Sequence, residues 1–279
     1  MTGATTALGR PQDLAFATVL PIVEPRPKPR DIGLTEVRSA AQGIDQLRDI
    51  ALMLGPYLDS VKWTVGTQRL VRRGQVSEIN RFLADHQIEV SSGGLLESVI
   101  PHGSRAIQAF LEESRELGFT IIEISTGTVA LSLAEKCAIV AATLDLGLKP
   151  KPEVFGASPI PGGYGPGTYV NANKIVHECL TVLDAGAWKV MIEEDGIFDG
   201  PSPEKWNRDL AWTIASRVPQ EKLYWEASTP IQALWLIAQF GPDVNLFGDP
   251  SWLGYTAALR SGTFFTAGRV GGFERETSK

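Results

Sequence analysis

Four glutamates each close a short apolar run: Glu123 in Ile121-Ile122-Glu123-Ile124, Glu153 in Lys151-Pro152-Glu153-Val154, Glu193 in Met191-Ile192-Glu193 and Glu226 in Trp225-Glu226-Ala227. Lys62 sits in a similar run, Val61-Lys62-Trp63. Carboxylates in such settings suit acid–base work or the ligation of a hard cation. Four of them brought to one place cannot all stay ionised without compensation. A divalent cation, Lys62 or a raised pKa has to offset them, and oxygen ligands suit Mg²⁺. Further polar groups at run ends are Ser125, before Thr126-Gly127, and Asn245. Gly93-Gly94 follows another run and would let backbone N–H groups approach a ligand, or simply make a tight turn.

These residues converge only if the runs are strands that share one end. Strands are expected near 31–37, 59–65, 87–91, 120–125, 149–154, 188–193, 222–226 and 243–247. Apolar residues at three- and four-residue spacing predict helices between them, over 46–54, 77–85, 104–117, 133–146, 173–184, 203–216, 230–240 and 252–261. Gly118, Gly147, Gly186 and Gly241 stand where a C′ glycine closes a helix. Eight strands alternating with eight helices require parallel pairing through right-handed crossovers. At this length the closed (β/α)8 barrel of the TIM type fits better than an open doubly wound sheet, and no GxGxxG opens the first unit. In such a barrel the strand ends listed above face one active-site mouth.

Residues 1–30 read as an irregular N-terminal extension and 31–279 as the single barrel domain. Prolines alternating with bases in Pro25-Arg26-Pro27-Lys28-Pro29-Arg30 enforce an extended path. That path is either a rigid surface arm or a basic segment laid across the mouth. The loop Pro161-Gly162-Gly163-Tyr164-Gly165-Pro166-Gly167 is a flexible connection, a lid or an anion nest, but it lacks the lysine and Ser/Thr of a P-loop.

A formal net charge of −6 leaves no electrostatic footprint for nucleic acid. No apolar run has the roughly 20 residues a spanning helix needs, so no membrane partner is expected. The run from Leu14 to Val23 is interrupted by Pro21 and does not read as a signal peptide. His86, His102 and His177 are too widely spaced for a zinc motif, and Cys137 and Cys179 do not make a disulfide framework. The expected setting is reducing and cytoplasmic. Outer helices of barrels often build symmetric interfaces, so a homo-oligomer stays open.

The ordered set of motifs resembles the phosphosulfolactate synthase family of coenzyme M biosynthesis. It comprises Lys28-Pro29-Arg30, Gly33-Leu34-Thr35, Asp59-Ser60-Val61-Lys62, Gly93-Gly94, Glu123-Ile124-Ser125-Thr126-Gly127, Lys151-Pro152-Glu153-Val154, Met191-Ile192-Glu193, Glu226-Ala227 and Val244-Asn245-Leu246. Gly33-Leu34-Thr35-Glu36 and Val244-Asn245-Leu246-Phe247 are closer to a bacterial and fungal branch than to the archaeal enzymes. The archaeal pattern has Asp where Thr126 stands, two lysines where Phe155-Gly156-Ala157 follows, and an Arg near Glu194-Asp195-Gly196. The resemblance implies a carbon–sulfur lyase that adds sulfite to phosphoenolpyruvate with Mg²⁺. Lys62, Glu123 and Glu226 would then be catalytic, with Lys62 the proton donor, and Glu153 and Glu193 would hold the metal. Lys28, Arg30, Ser125, Asn245, Gly93 and Gly94 would bind the small anionic substrates. The alternatives are a divergent member acting on another enol or sulfur substrate, a metal-dependent aldolase, and a non-catalytic barrel kept as a stress-associated or interaction protein.

Overall fold

The computed structural model describes residues 14–16, 18–19, 22–39, 42–155, 171–199 and 202–263. Eight parallel strands, β1 Thr35–Ser39, β2 Ser60–Trp63, β3 Glu89–Ser91, β4 Ile121–Ile124, β5 Lys149–Val154, β6 Val190–Ile192, β7 Leu223–Glu226 and β8 Asn245–Gly248, close into a barrel in chain order. Outside them lie α1 Ile44–Leu54, α2 Arg73–Asp85, α3 Leu96–Val99, α4 Ser104–Glu116, α5 Leu133–Asp145, α6 Ala172–Asp184, α7 Arg208–Arg217, α8 Pro230–Phe240 and α9 Leu253–Arg260. The sequence-based strands and long helices all recur, with ends shifted by a few residues. The four-residue α3 is new, because one turn is too short to show a period.

Alternation along each strand sorts the side chains. On β2, Val61 and Trp63 pack outward with Leu47, Val76 and Leu83 of the helices, while Lys62 points to the axis and reaches Glu123 on β4. On β7, Trp225 stacks on Phe240 of α8, with ring centroids 5.4 Å apart. Trp63 and Trp225 are therefore core residues. Most of the apolar core lies between sheet and helices, while Leu34, Met191, Tyr224 and Phe247 form a small separate apolar cluster among the described residues.

Helix starts are set by local chemistry. Ser132 and Glu135 form a capping box at α5, and Thr229 with Gln232 does the same at α8, where Pro230 takes the first turn. The four expected C′ glycines all have positive φ.

The first strand begins at Thr35 and not near Asp31. Gly33 turns the chain with φ +69° and donates its N–H to Asp243 O at 2.9 Å. The proline-rich segment before it lies under the barrel. Lys28 Nζ donates to the carbonyls of Leu58 and Gln87, which precede β2 and β3. Arg30 forks onto Asp59 at 2.8 and 3.0 Å. Half-buried Arg260 completes this floor through the carbonyls of Pro242, Leu34 and Val244. A cavity of about 20 Å³, room for one water, lies between Arg26, Arg30, Asp243 and Arg260. The loop 161–167 lies outside the described residues.

Candidate active site

The strands' inward positions carry the charge. Lys62 Nζ lies 2.8 Å from Glu123 Oε1 and 3.6 Å from Glu153 Oε1. One layer deeper, Lys151 pairs with Glu36 and lies 3.4 Å from Glu123 Oε2, while Ser60 Oγ donates to Glu36 at 3.0 Å. Toward the mouth, Glu193 hydrogen-bonds both Glu153 and Glu226. Arg38 at the end of β1 donates to Glu226 at 2.9 Å. A connected chain thus runs from Glu36 at mid-barrel through Lys151, Glu123, Lys62 and Glu153, then through the adjacent carboxyls of Glu193 and Glu226, to Arg38 at the rim.

Burial and pairing divide the carboxyls into two kinds. Burial pushes Glu123 up to about 7, with Glu153 adding to the shift and Lys62 opposing it. Burial, with the facing Glu153 and Glu226, raises Glu193 well above its ordinary value. For Glu153, burial is outweighed by Lys62 and by hydrogen bonds from Glu193 and Ser125, which hold it below its ordinary value. Asp195, just beyond β6, is lifted to about 6 by partial burial and by Glu194. Burial alone would lower Lys62, but Glu123, Glu153, Glu226 and Glu193 outweigh it and hold the ammonium charged. The ammonium also sits 4.0 Å over the Phe247 ring.

The structure therefore brings together Lys62, Glu123, Glu153, Glu193, Glu226 and Ser125. Gly93 lies beside them, and a Cβ there would fall 1.8 Å from Trp63 O and 3.6 Å from Lys62 Cγ. Gly94 abuts Ser125. Three expected substrate ligands are elsewhere. Lys28 and Arg30 sit on the floor with backbone and Asp59 partners, at the end away from the mouth. Asn245 is the first residue of β8, accepts from Leu34 N–H at 3.1 Å and donates to Leu223 O at 2.8 Å. Its amide bridges neighbouring strands at the floor, so it closes the barrel there and does not face a ligand.

Four further charged residues belong to the site or its edge: Glu36, Arg38, Lys151 and Glu97. Three of them follow from period two, since Glu36 and Arg38 on β1, and Lys151 and Glu153 on β5, are two apart on an inward face. Glu97 lies on α3, which the periodicity did not reveal.

Among the described residues no group of three His, Cys, Asp or Glu side chains is arranged as a metal site. Mg²⁺ does not require one, because it usually takes one or two protein carboxylates, water and substrate phosphate. Glu153 and Glu193 offer hard oxygen donors already side by side, and that donor set fits the ion.

The family model for (2R)-phospho-3-sulfolactate synthase matches residues 24–265. The chain belongs to the phosphosulfolactate synthase family. The phosphosulfolactate synthase of Methanothermobacter thermautotrophicus is 31% identical over 227 residues, which span 80% of this chain and 86% of the relative. The protein HEAT-STRESS-ASSOCIATED 32 of Arabidopsis thaliana is 27% identical over 256 residues, 85% of this chain and 89% of the relative. Likeness to solved structures supports the fold alone. The carboxyl transferase domain of Rhizobium etli pyruvate carboxylase with 3-hydroxypyruvate gives a TM-score of 0.55 at 11% identity, over 77% of this chain and 39% of that one. The YdjI aldolase of Escherichia coli gives 0.51 at 8% identity, over 78% and 75%. Among the described residues, no helix of this phosphosulfolactate synthase family member is long and apolar enough to cross a membrane.

Proposed function

We propose that the protein is a carbon–sulfur lyase that adds sulfite to the methylene carbon of phosphoenolpyruvate. The observation that carries this reading is the Lys62 ammonium held between Glu123 and Glu153 just below the mouth of a barrel matched by the synthase family over 24–265. The sulfur lone pair forms the new bond, the enol double bond shifts its electrons toward the carboxylate, and the adjacent carbon takes a proton. No group leaves, so the phosphate is retained.

Lys62 faces the developing negative charge and delivers the proton. With its pKa raised, Lys62 would be a reluctant donor alone. Glu123, near half-protonated at neutral pH and 2.8 Å away, replaces that proton as it leaves, so no neutral amine accumulates. Arg38, one-third exposed, is the strand-end cation that meets an incoming anion, whereas Lys62 and Lys151 are buried among carboxylates. Glu153 and Glu193 would hold Mg²⁺, which when bound supplies Lewis-acid stabilisation of the substrate carboxylate.

Incubation with phosphoenolpyruvate, sulfite and Mg²⁺, followed by mass detection, should yield a sulfonated product that retains phosphate. A folded protein that makes no such product defeats the reading. A second reading, a barrel with a role in heat stress, rests on the Arabidopsis relative's name and its coverage of 85% of this chain.

A further inference from the structure

At the end of β4 the chain turns through Ser125-Thr126-Gly127-Thr128. Four donors of this turn converge on one side chain. Glu97 Oε1 accepts from Ser125 Oγ and, at 2.5 Å, from Gly127 N–H. Its Oε2 accepts from Thr128 N–H at 3.0 Å and from Thr128 Oγ1. Two donors per oxygen, all from four consecutive residues, is a dense arrangement for holding one loop. It matches the demand of a tetrahedral oxyanion, which presents three or four acceptor oxygens.

Two neighbouring features favour an anion there. A Cβ on Gly127 would come 3.3 Å from Glu97 Oε1 and 2.9 Å from Phe155 Cζ, so glycine opens the close approach. Behind the turn, the buried Lys136 ammonium donates to Thr126 Oγ1 at 3.1 Å and to Glu153 O at 3.0 Å, while pairing with Glu178 at 2.6 Å. Ser125 Oγ, with one proton to give, lies between Glu97 and Glu153, so the turn is one edge of the carboxylate ring.

We propose that the Ser125–Thr128 turn is a tetrahedral-oxyanion subsite, and that the Glu97 carboxylate occupies it until a substrate's phosphate or sulfite displaces it. Naming the reactants as the source of that oxyanion rests on the function proposed above. Glu97 is carried by α3, outside the barrel strands, so its withdrawal leaves the strand ladder intact.

The test is calorimetric titration of the full-length protein with inorganic phosphate and, separately, with sulfite. Four forms are compared: the unaltered chain, Glu97→Ala, Glu97→Gln and Glu97→Ala with Thr128→Val. Vacating the turn should tighten the binding of at least one anion about tenfold in Glu97→Ala, and adding Thr128→Val should cancel the gain. The anion that gains identifies which reactant the turn receives. If Glu97→Ala melts cooperatively yet binds neither anion more tightly, Glu97 is only a loop clamp and the proposal fails. Should Glu97→Ala not fold, Glu97→Gln carries the readout, because its amide nitrogen cannot accept from the turn and frees half of the donors, and no gain there also overturns the proposal. Neither titration involves turnover. A missing sulfonated product therefore counts against the lyase and not against the subsite.

Discussion

Glu123 lies one layer below the mouth, between two ammonium groups, and still rises to about 7 because burial outweighs them. Its protonated form is the one the proposed chemistry uses. The fraction available falls as pH rises through about 7, so kcat/KM should decline on the alkaline side with an apparent pKa near that value. Glu123→Gln should abolish that limb and slow turnover by roughly 10²–10⁴-fold; a pH–rate profile of both proteins checks this. A limb that persists in the variant would place the titrating group elsewhere. The sequence made Glu123 visible because a carboxylate inside Ile121-Ile122-Glu123-Ile124 conflicts with its neighbours. It could not show which carboxyl keeps its proton, since that depends on facing partners such as Glu153 and Glu226 across the barrel.

At the scale of elements, the sequence revealed strands and long helices because each has a period, and missed α3 because one turn has none. It also left the Lys28–Arg30 segment open between a surface arm and the mouth and set Asn245 among the substrate ligands, whereas the structure has both at the floor. A polar residue in a strand looks the same at either end, and only the register, with Asn245 opposite Tyr224 at the start of β8, tells floor from mouth. Asn245→Ala should remove the bridges to Leu34, Glu221 and Leu223. The expected cost is about 1–3 kcal/mol in urea unfolding, with substrate KM unchanged. A raised KM at unchanged stability would return Asn245 to the substrate.

At the scale of the whole molecule, the barrel interior holds an ion chain, and buried ion pairs are often no more stabilising than apolar packing. Lys151 and Glu36 are fully buried, and Lys151 also faces Glu123. Lys151→Met should strand two carboxylates and cost roughly 3–5 kcal/mol. Combining it with Glu36→Gln should recover much of that loss, as measured by denaturant titration of the two variants. A harmless single substitution would show that the pair does not hold the interior together.

The floor built by Arg30, Asp59, Asn245 and Arg260 has a kinetic consequence. A barrel stoppered below opens at one end only, and in the lyase proposed above that opening would serve two reactants and one product. Whichever anion enters first lies deeper, and the second must settle above it. Order of arrival then becomes part of specificity, and an excess of the later reactant that slips in first forms a dead-end complex.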